Sequence, residues 1–286
     1  MATEERTSGD RGRGWSALHQ HGVGLVLVAS LYVFGACEPT PGPGEPGTDT
    51  AGTTVPAPGG FAVEAVAVDL ATGDPVAAGL CAEAIDPAAL LVDGAAAPLA
   101  SAPVGSGGGF RLSGIALQGT LGLQIVVGDC DGAAPTAYPT ATPVPPEAVA
   151  GLGEGDQVDA TAFVMGLDQL DALSGSATTA GFTGDLATVG MLVGWVRDAA
   201  GAPLSGATVS CAGCFTWYLD ADPADGLFTT GAVRNSATDA GADGAFVVPR
   251  PPTGTYVVDD GGAHAFTPRL DGVGPGGATV TAFSAD

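Results

Sequence analysis

The sequence has no lysine. Its eight basic residues are all arginine and stand against 31 acidic residues, which gives a formal net charge of −23 over 286 residues. Without lysine, the chain has no Walker-type phosphate lysine, Schiff-base lysine or lysine general base. So acidic a chain also repels the phosphate backbone, which proteins bind through clustered Lys and Arg. The composition therefore excludes nucleic acid as a partner.

Histidine is nearly as scarce. The three histidines are His19, His21 and His264, and the first two lie in a segment that we expect to be removed from the mature chain. One remaining histidine cannot build a multi-His zinc site. The sequence also lacks the G-x-S-x-G elbow of serine hydrolases. We therefore predict a non-enzymatic protein without a cofactor.

An apolar run near the N-terminus predicts export. Val23–Ala36 holds about fourteen mostly apolar, uncharged residues and ends immediately before Cys37. That length fits the h-region of a signal peptide better than a membrane span, which needs about 20 residues. The tetrad Phe34-Gly35-Ala36-Cys37 resembles the lipobox of bacterial lipoproteins, although Phe34 stands where that family usually has Leu. The resemblance implies a signal peptide over residues 1–36 and a lipid on Cys37. A plain secretory signal and a short anchor helix are the alternatives.

The next segment predicts a solvated tether over residues 37–60. Glu38–Gly60 contains six Pro and six Gly and almost no large apolar side chain, so it cannot bury enough surface to offset its ordering entropy. A lipid, a tether and folded modules together are typical of a protein displayed at a cell surface. The membrane is then a partner, because the lipid inserts into it. Glu38, rather than Asp, after the cysteine favours the outer membrane of a bacterial cell envelope.

Beyond the tether, short Val-rich runs are broken by Gly, Pro and Asp every eight to twelve residues or so, which is typical of a β-sandwich. Phe61–Asp69 alternates Val with Ala or Glu and predicts a strand with one buried face. Leu192–Asp198 predicts a similar strand, followed by a turn and a further strand over Pro203–Val209. Because the same order of strands and turns recurs about 130 residues apart, we predict two related modules, at residues 61–165 and 191–286.

The segment between the modules, residues 166–190, predicts a linker with one short helix. Apolar residues recur at helical spacing at Phe163, Leu167, Leu170 and Leu173. They indicate a helix near Val164–Leu173. The run Ser174–Thr188, rich in Ser, Thr and Gly, predicts a loop.

The second module carries a recognisable motif. GWVRDAAGAPLSGATV, residues 194–209, and TDAGADGAFVVPRPPTGTYVV, residues 238–258, resemble the carboxypeptidase regulatory-like domain. The resemblance implies an all-β, Greek-key β-sandwich of the transthyretin (prealbumin-like) type, which is grouped with carbohydrate-binding-like folds. The first module looks like a divergent copy of the same domain.

Elementary chemistry accounts for the main positions of this motif. Asp198 can accept hydrogen bonds inside its own turn, and Gly201 and Gly206 can supply positive φ angles. Phe246 and Tyr256 are large enough to fill a core between two sheets. We expect these five residues to be structural.

Four cysteines beyond the tether predict two disulfides, the usual state in an exported protein. Cys81 and Cys130 form the pair in the first module. Cys211 and Cys214 are predicted to form a local bridge that pins a loop. Their C-x-x-C spacing leaves a redox function as an alternative, but the strand predicted at Phe215–Leu219 stands where a redox motif needs the start of a helix.

Three aromatic residues are candidate ligand contacts. Trp217 and Tyr218 could stack on a sugar ring, as carbohydrate-binding relatives suggest. The alternative is that one of the pair lies in the core and the other is half-exposed. Strand alternation places Trp195 opposite Val196 and so on the outer face of its strand. There it could cover a ligand, or pack against the other module or the linker.

Three carboxylates follow the aromatic pair, at Asp220, Asp222 and Asp225. They offer the hard oxygen ligands that calcium prefers, but their spacing departs from an EF-hand loop and the closing Glu is missing. A solvated acidic turn is the alternative that we favour. We therefore assign no metal to the protein.

These observations predict a non-enzymatic lipoprotein of the bacterial cell surface whose β-sandwich modules bind a glycan or an envelope protein. One alternative is a structural spacer without a specific ligand. Another is a hydrolytic enzyme built on His264 or a thiol–disulfide enzyme built on Cys211 and Cys214.

The lipid assignment predicts that labelled palmitate enters the full-length protein in a bacterial host and that Cys37→Ser abolishes the labelling. The reason is that the thiol of Cys37 is the acceptor of the first acyl-bearing group. Gel fluorography of membrane fractions measures the incorporation. Equal labelling of the wild type and of Cys37→Ser would contradict the prediction.

Overall fold

The folded part of the chain is built from β-strands, as predicted. The computed structural model describes residues 60–89, 96–117, 121–130, 135–219, 238, 244–272 and 276–286. The leader, Cys37, almost all of the tether and the calcium candidates Asp220, Asp222 and Asp225 lie outside these residues. Within them, no helix is long and apolar enough to cross a membrane.

The first half of the described chain contains eight strands and, after the seventh of them, a short helix. They are β1 (Phe61–Asp69), β2 (Leu80–Ile85), β3 (Ala100–Pro103), β4 (Gly109–Ile115), β5 (Leu123–Asp129), β6 (Ala137–Tyr138), β7 (Thr140–Val144), α1 (Pro146–Val149) and β8 (Gln157–Gly166).

Two helices and seven strands follow in the second half. They are α2 (Leu167–Thr179), α3 (Leu186–Val189), β9 (Met191–Arg197), β10 (Thr208–Ser210), β11 (Trp217–Tyr218), β12 (Ala245–Pro249), β13 (Gly254–Asp259), β14 (Arg269–Asp271) and β15 (Ala278–Ser284).

The strands form three sheets. A four-stranded sheet has the order β4-β1-β8-β6, a three-stranded sheet the order β10-β13-β14, and an eight-stranded sheet the order β11-β12-β9-β15-β7-β5-β2-β3. Most neighbours are antiparallel, but β1 runs parallel to β8, and β15 runs parallel to both β9 and β7. The eight-stranded sheet therefore contains strands of both halves, and β15 joins them.

Buried apolar side chains form three cores. The first core lies between the four-stranded sheet and strands β2, β5 and β7, and it includes Val63, Ala65, Leu112, Val164, Ala82, Ile125 and Val144. The second core packs helices α2 and α3 against β9 and β12, and it includes Leu170, Leu173, Leu186, Val193, Trp217 and Val247. The third core lies between the three-stranded sheet and the other face of β9 and β12, and it includes Leu192, Val196, Val209, Phe246, Tyr256 and Phe283.

The first and third cores fall within residues 61–165 and 191–286, where the sequence predicts the two modules. The division into modules stays a prediction, since the eight-stranded sheet runs through both ranges. The disulfide predicted in the first range is confirmed: Cys81 on β2 is bonded to Cys130, directly after the neighbouring strand β5, with Cα atoms 4.9 Å apart.

The motif residues of the second half have the structural roles that the sequence predicts. The Asp198 carboxylate accepts hydrogen bonds from the backbone N–H groups of Ala200 (2.9 Å) and Ala202 (2.8 Å). Gly201 and Gly206 both have φ of 83°. The Phe246 and Tyr256 side chains, at the centre of the third core, are fully buried.

The helix prediction between the two halves is wrong in its bounds. Helix α2 begins at Leu167, because the Gly166 backbone is extended and its N–H donates to the Gln169 side chain (3.2 Å). Phe163 therefore belongs to strand β8. The helix also continues into the predicted loop as far as Thr179, where the hydroxyls of its last two threonines donate to backbone carbonyls one turn earlier.

Two predicted strands are shorter than expected. The strand predicted over Pro203–Val209 is interrupted at Gly206, whose positive φ turns the chain, so the regular strand β10 begins at Thr208. Pro203 makes an isolated bridge to Arg197. The strand predicted over Phe215–Leu219 has only Trp217 and Tyr218 as its regular part, β11.

Gly194 allows β9, β12 and β15 to approach closely. A Cβ atom at this position would overlap the carbonyl oxygen of Thr281 and would lie 2.7 Å from the Phe246 ring. Both neighbours are buried and held by the sheet, so neither can move at low cost. The Gly194 backbone is extended within β9. Glycine is therefore needed here for the space that it leaves, and not for a positive φ angle.

We predict that Gly194→Ala lowers the free energy of unfolding by about 2 kcal/mol, through overpacking of the third core. Gly175→Ala is the matched control. Gly175 is an exposed residue of α2 with open space around its Cβ position, so alanine there should stabilise by about 0.5–1 kcal/mol. Urea unfolding followed by circular dichroism measures both. Equal effects of the two substitutions would contradict this role of Gly194.

Asp271, on β14, is a buried carboxyl group with only 7% of its surface exposed. Burial raises its pKa to about 6, although the nearby Thr281 side chain, the Gly272 backbone and the charge of Arg269 favour the ionised form. Burial, together with the Asp271 charge, also raises the pKa of Tyr256. The ionised Asp271 therefore destabilises the fold.

The shift predicts a pH-dependent stability. Between the ordinary pKa of 3.8 and about pH 6 the unfolded chain has released this proton and the folded chain still holds it. The stability that the protonated Asp271 contributes to the fold is therefore fully present below pH 3.8 and is lost as the pH rises through 6. Asp271→Asn, which keeps an acceptor oxygen, should raise the free energy of unfolding by about 2 kcal/mol well above that range and change it little below it.

Urea unfolding at one pH above and one pH below this range tests the prediction. Asp171→Asn is the control, because Asp171 is an exposed carboxylate on α2. A stability change for Asp271→Asn that is the same at both pH values would show that the carboxyl group is not the source.

Candidate functional site

An open cleft lies where β7 and β15 separate. The two strands pair only through Ala278 with Thr140 and Thr279 with Ala141. Farther along, β15 stays paired with β9 and β7 stays paired with β5. The space between the diverging strands has a volume of about 420 Å³, within the range of about 300–1,000 Å³ typical of small-molecule sites.

Residues from both halves of the chain line this cleft. They are Leu70, Ala71, Thr72 and Gly73 of the turn after β1, Thr142 and Pro143 of β7, Phe163 of β8, Trp195 and Arg197 of β9, Arg269 of β14, and Val280, Thr281 and Ala282 of β15. The cleft therefore exists only in the folded chain, since no single segment supplies more than a small part of it.

Trp195 is the large aromatic residue of the cleft. It projects from the same face of β9 as Arg197, because alternate residues of a strand share a face. Its neighbour across the sheet is Ala282 of β15, whose small side chain leaves room beside the indole. The Trp195 ring is partly exposed and rests on Phe163, with ring centroids 5.1 Å apart and planes tilted by 50°.

Two threonine hydroxyls fix the strand that supports Trp195. The backbone N–H of Phe163 donates to Thr142 Oγ1 (2.9 Å), and that of Met165 donates to Thr140 Oγ1 (3.1 Å). Side chains of β7 thus hold β8 beside the eight-stranded sheet. Phe163 therefore has a fixed position beneath the indole, although β7 and β8 belong to different sheets.

The rim of the cleft is held by Asp69. Its Oδ1 accepts hydrogen bonds from the backbone N–H groups of Ala71 and Thr72, both 2.9 Å, and its Oδ2 accepts one from the Gln169 side chain (2.8 Å). Because Gln169 lies in the first turn of α2, the rim turn is tied to the helix. The site is therefore built on rigid elements.

The charged residues in the described lining of the cleft are basic, although the chain as a whole is strongly acidic. Among the described lining residues, two are arginine and none is a carboxylate. The guanidinium carbon of Arg197 lies 6.0 Å from the centre of the Trp195 ring, and that of Arg269 lies 5.9 Å from the centre of the Phe283 ring. These distances are at the outer limit of cation–π contacts, so each guanidinium lies close to its ring at the edge of that range.

Trp217 and Tyr218, predicted as an exposed pair or as a split pair, are instead both buried, each with 2% of its surface exposed. Trp217 lies in the second core, with Phe182 at 5.6 Å and Phe215 at 5.5 Å between ring centroids. Tyr218 lies in the third core, where its hydroxyl oxygen accepts from the Val209 N–H (2.7 Å). Neither ring offers a face to a sugar in this structure, because adjacent residues of β11 point into the cores on opposite faces of the sheet.

The remaining sequence candidates do not meet at the cleft. Cys211 and Cys214 are bonded to each other in a short loop, as predicted. His264 Nδ1 lies 2.5 Å from Asp260 Oδ2 within an exposed turn. No group of three or more His, Cys, Asp or Glu side chains that could hold a metal ion occurs among the residues with described positions.

Of the cleft residues, the sequence predicts Trp195 as a ligand contact but neither Phe163 nor the two arginines. Phe163 has helical spacing to Leu167 and Leu170, and this spacing hides its place in a strand. The alternation of Trp195 and Arg197 on one strand face was available in the sequence. Arg269 carried no such signal, because its position beside β15 depends on the packing of two sheets.

Comparison with known proteins gives distant likenesses only. No family model and no curated protein matches the sequence. Among solved structures, the shaft pilin spaA from Lactobacillus rhamnosus GG is 11% identical, with a TM-score of 0.24 over 79% of this chain and 98% of that chain. A streptococcal ancillary pilin is 13% identical, with a TM-score of 0.22 over 79% of this chain and 62% of that chain.

A fimbrial protein from Bacteroides ovatus is 11% identical, with a TM-score of 0.19 over 79% of this chain and 48% of that chain. TM-scores this low do not establish a shared fold. The fold and function are therefore argued from the residues of this chain.

Proposed function

We propose that this protein is a non-enzymatic binding protein of the bacterial cell surface, anchored by a lipid on Cys37, and that the cleft at Trp195 binds a glycan. The observation that carries the proposal is the partly exposed Trp195 ring in an open cleft of sugar size. An aromatic ring offers a sugar a flat apolar surface for its C–H groups, and few other side chains do so at low entropy cost.

The construction of the cleft supports a binding role. Phe163 supports the indole from below, and the Asp69 turn fixes the rim. A ligand that enters a pre-formed site loses less affinity to the ordering of the protein. The cleft thus meets the requirement that a binding site be held by rigid elements.

The two disulfides support a location outside the cytoplasm. Cys81–Cys130 and Cys211–Cys214 use all four cysteines that follow Cys37. Disulfides of this kind form and persist in oxidising compartments. They agree with the lipobox-like tetrad and the Pro/Gly-rich tether, which together favour display at the outer membrane.

Binding is a better proposal than catalysis for the same residues. The cleft lining has no described His, Cys, Asp or Glu side chain, the groups that act most often as general acids, bases and nucleophiles. The thiols of Cys211 and Cys214 are joined to each other, away from the cleft.

A second candidate is a spacer that holds other parts of the cell surface apart. The continuous eight-stranded sheet favours it, because β15 joins the two halves by hydrogen bonds. A spacer needs a stiff body and no open aromatic cleft, so the two candidates differ in whether Trp195 matters.

We predict that Trp195→Ala weakens binding to glycans recognised by the wild type by at least tenfold, because the sugar loses its apolar surface. A glycan array identifies the ligand, and calorimetry with that glycan measures the affinity. Phe215→Ala is the matched control, since Phe215 is 51% exposed and lies outside the cleft.

Retention of the wild-type melting temperature in both variants shows that the fold is intact. Failure of the wild type to bind any glycan would overturn the proposed function and favour the spacer.

A further inference from the structure

Strand β8 has an open edge at its start. On one side it pairs with β1 over residues 157–164. On the other side it pairs only with β6, and only through Met165 and Gly166. Within the described part of the chain, residues 157–161 of β8 therefore have no strand beside them on this second side.

The hydrogen bonds to β1 show which backbone groups lie on the open edge. The N–H of Ala62 donates to the Asp156 carbonyl (2.9 Å), and that of Leu70 donates to the Val164 carbonyl (2.9 Å). The even-numbered residues at the two ends of this pairing thus face β1. Because residues of a parallel strand face its two neighbours alternately, the odd-numbered residues of β8 face the other side.

The odd-numbered residues have partners near the end of β8 and none near its start. The N–H groups of Phe163 and Met165 donate to threonine hydroxyls of β7. Those of Gln157, Asp159 and Thr161 have no acceptor among the described residues. The edge therefore offers three N–H groups, and the carbonyls of the same residues, to a further strand.

The core-facing side chains at this edge are incompletely covered. Val158 and Ala160 are half-buried against the first core. Their neighbours on β1, Val63 and Ala65, point to the same core and are buried. An added strand with apolar residues on this face would remove the remaining apolar surface from water.

The solvent-facing side chains at this edge are acidic. Asp159 lies beside Glu64 of β1, and both are exposed. Glu64 has a cation on its other side, since Arg111 Nη1 lies 2.8 Å from its Oε2. Among the described residues, the Asp159 carboxylate accepts only from the Gln157 amide (3.3 Å). A basic side chain on an added strand would therefore find an unpaired carboxylate beside it.

A second copy of this chain does not fit the edge. Antiparallel pairing of two such edges brings the two Asp159 carboxylates close together, and like charges on paired strands are destabilising. The net charge of −23 also repels another copy at long range. The occupant that fits is a different protein with a basic segment.

We infer that the edge of β8 at residues 157–161 binds an extended segment of another protein. The segment adds a strand to the four-stranded sheet, places apolar side chains over Val158 and Ala160, and places a basic side chain beside Asp159. In such strand addition the backbone bonds supply affinity, and alternate side chains supply specificity. None of residues 157–161 lines the cleft at Trp195, so the inference does not depend on glycan binding.

Amide exchange measured by NMR on the full chain tests the inference with a defined probe. The probe is the end-blocked peptide Thr-Val-Lys-Val-Lys-Val-Thr, which has one apolar and one basic face. At saturation we expect the N–H groups of Gln157, Asp159 and Thr161 to exchange at least tenfold more slowly. Those of Val158 and Ala160 should change little, because they already bond to β1 in the free chain.

A matched pair of substitutions tests the charge at the edge. Asp159→Arg should weaken binding of the lysine peptide about fivefold or more. It should also strengthen binding of the same peptide with glutamate in place of lysine. Asp171→Arg is the control, because it changes the net charge equally at an exposed position of α2, and it should change either affinity less than twofold. Unchanged melting temperatures verify that both variants fold.

A third peptide separates backbone pairing from general charge attraction. It has the lysine sequence with methyl groups on its five central backbone nitrogens, so it keeps its charge but cannot donate to β8. It should slow none of the three amides. Equal slowing by this peptide, or equal effects of Asp159→Arg and Asp171→Arg, would overturn the inference.

The remaining outcomes are also decisive. Failure of the lysine peptide to slow the three amides would overturn the inference. So would slow exchange of these amides in the free chain, or slowing that grows with protein concentration alone, since the edge is then covered by the chain itself or by a second copy. Absence of glycan binding bears only on the proposed function.

Discussion

The position of β15 is the constraint on which the rest of the structure depends. This strand enters the eight-stranded sheet between β9 and β7 and runs parallel to both. On one face it contributes Phe283 to the third core, and on the other it contributes Ala278 to the second. Parallel neighbours must be distant in sequence, so this pairing closes a long loop before its contacts are gained. Gly194 is required at the same place, because any side chain there would collide with β15 and Phe246.

The cleft is a direct consequence of this arrangement. β15 follows β9 along its whole length, whereas β7 follows β5, so the two neighbours can share only their first residues. Trp195 and Arg269 are both among the residues that line the gap between β15 and β7. Ala282 of β15 lines this gap, and its small side chain leaves room beside Trp195. The same strand therefore joins the two halves and creates the space that a ligand could occupy.

The sequence predicts elements well where local chemistry is decisive. The strand over Phe61–Asp69 has the bounds that the sequence predicts, because Val alternates with Ala or Glu along it. The Asp198 turn followed from its glycines and its carboxylate. The helix was misplaced, because Phe163 continues the spacing of the helical leucines although it lies in a strand. Trp217 and Tyr218 were misjudged because β11 is packed on both of its faces, a property that no local pattern reveals.

By itself, the sequence determined the all-β class, the disulfide partners, the structural roles of the motif residues, and the exclusion of lysine-dependent chemistry. These follow from residue types and short spacings, which act before any distant contact forms. Only the tertiary structure decided that one sheet runs through both halves, that Trp195 rests on Phe163, and that Arg197 and Arg269 line the same cleft. These features depend on strand pairings across long stretches of chain, and the geometry of such pairings is set by packing of the whole fold.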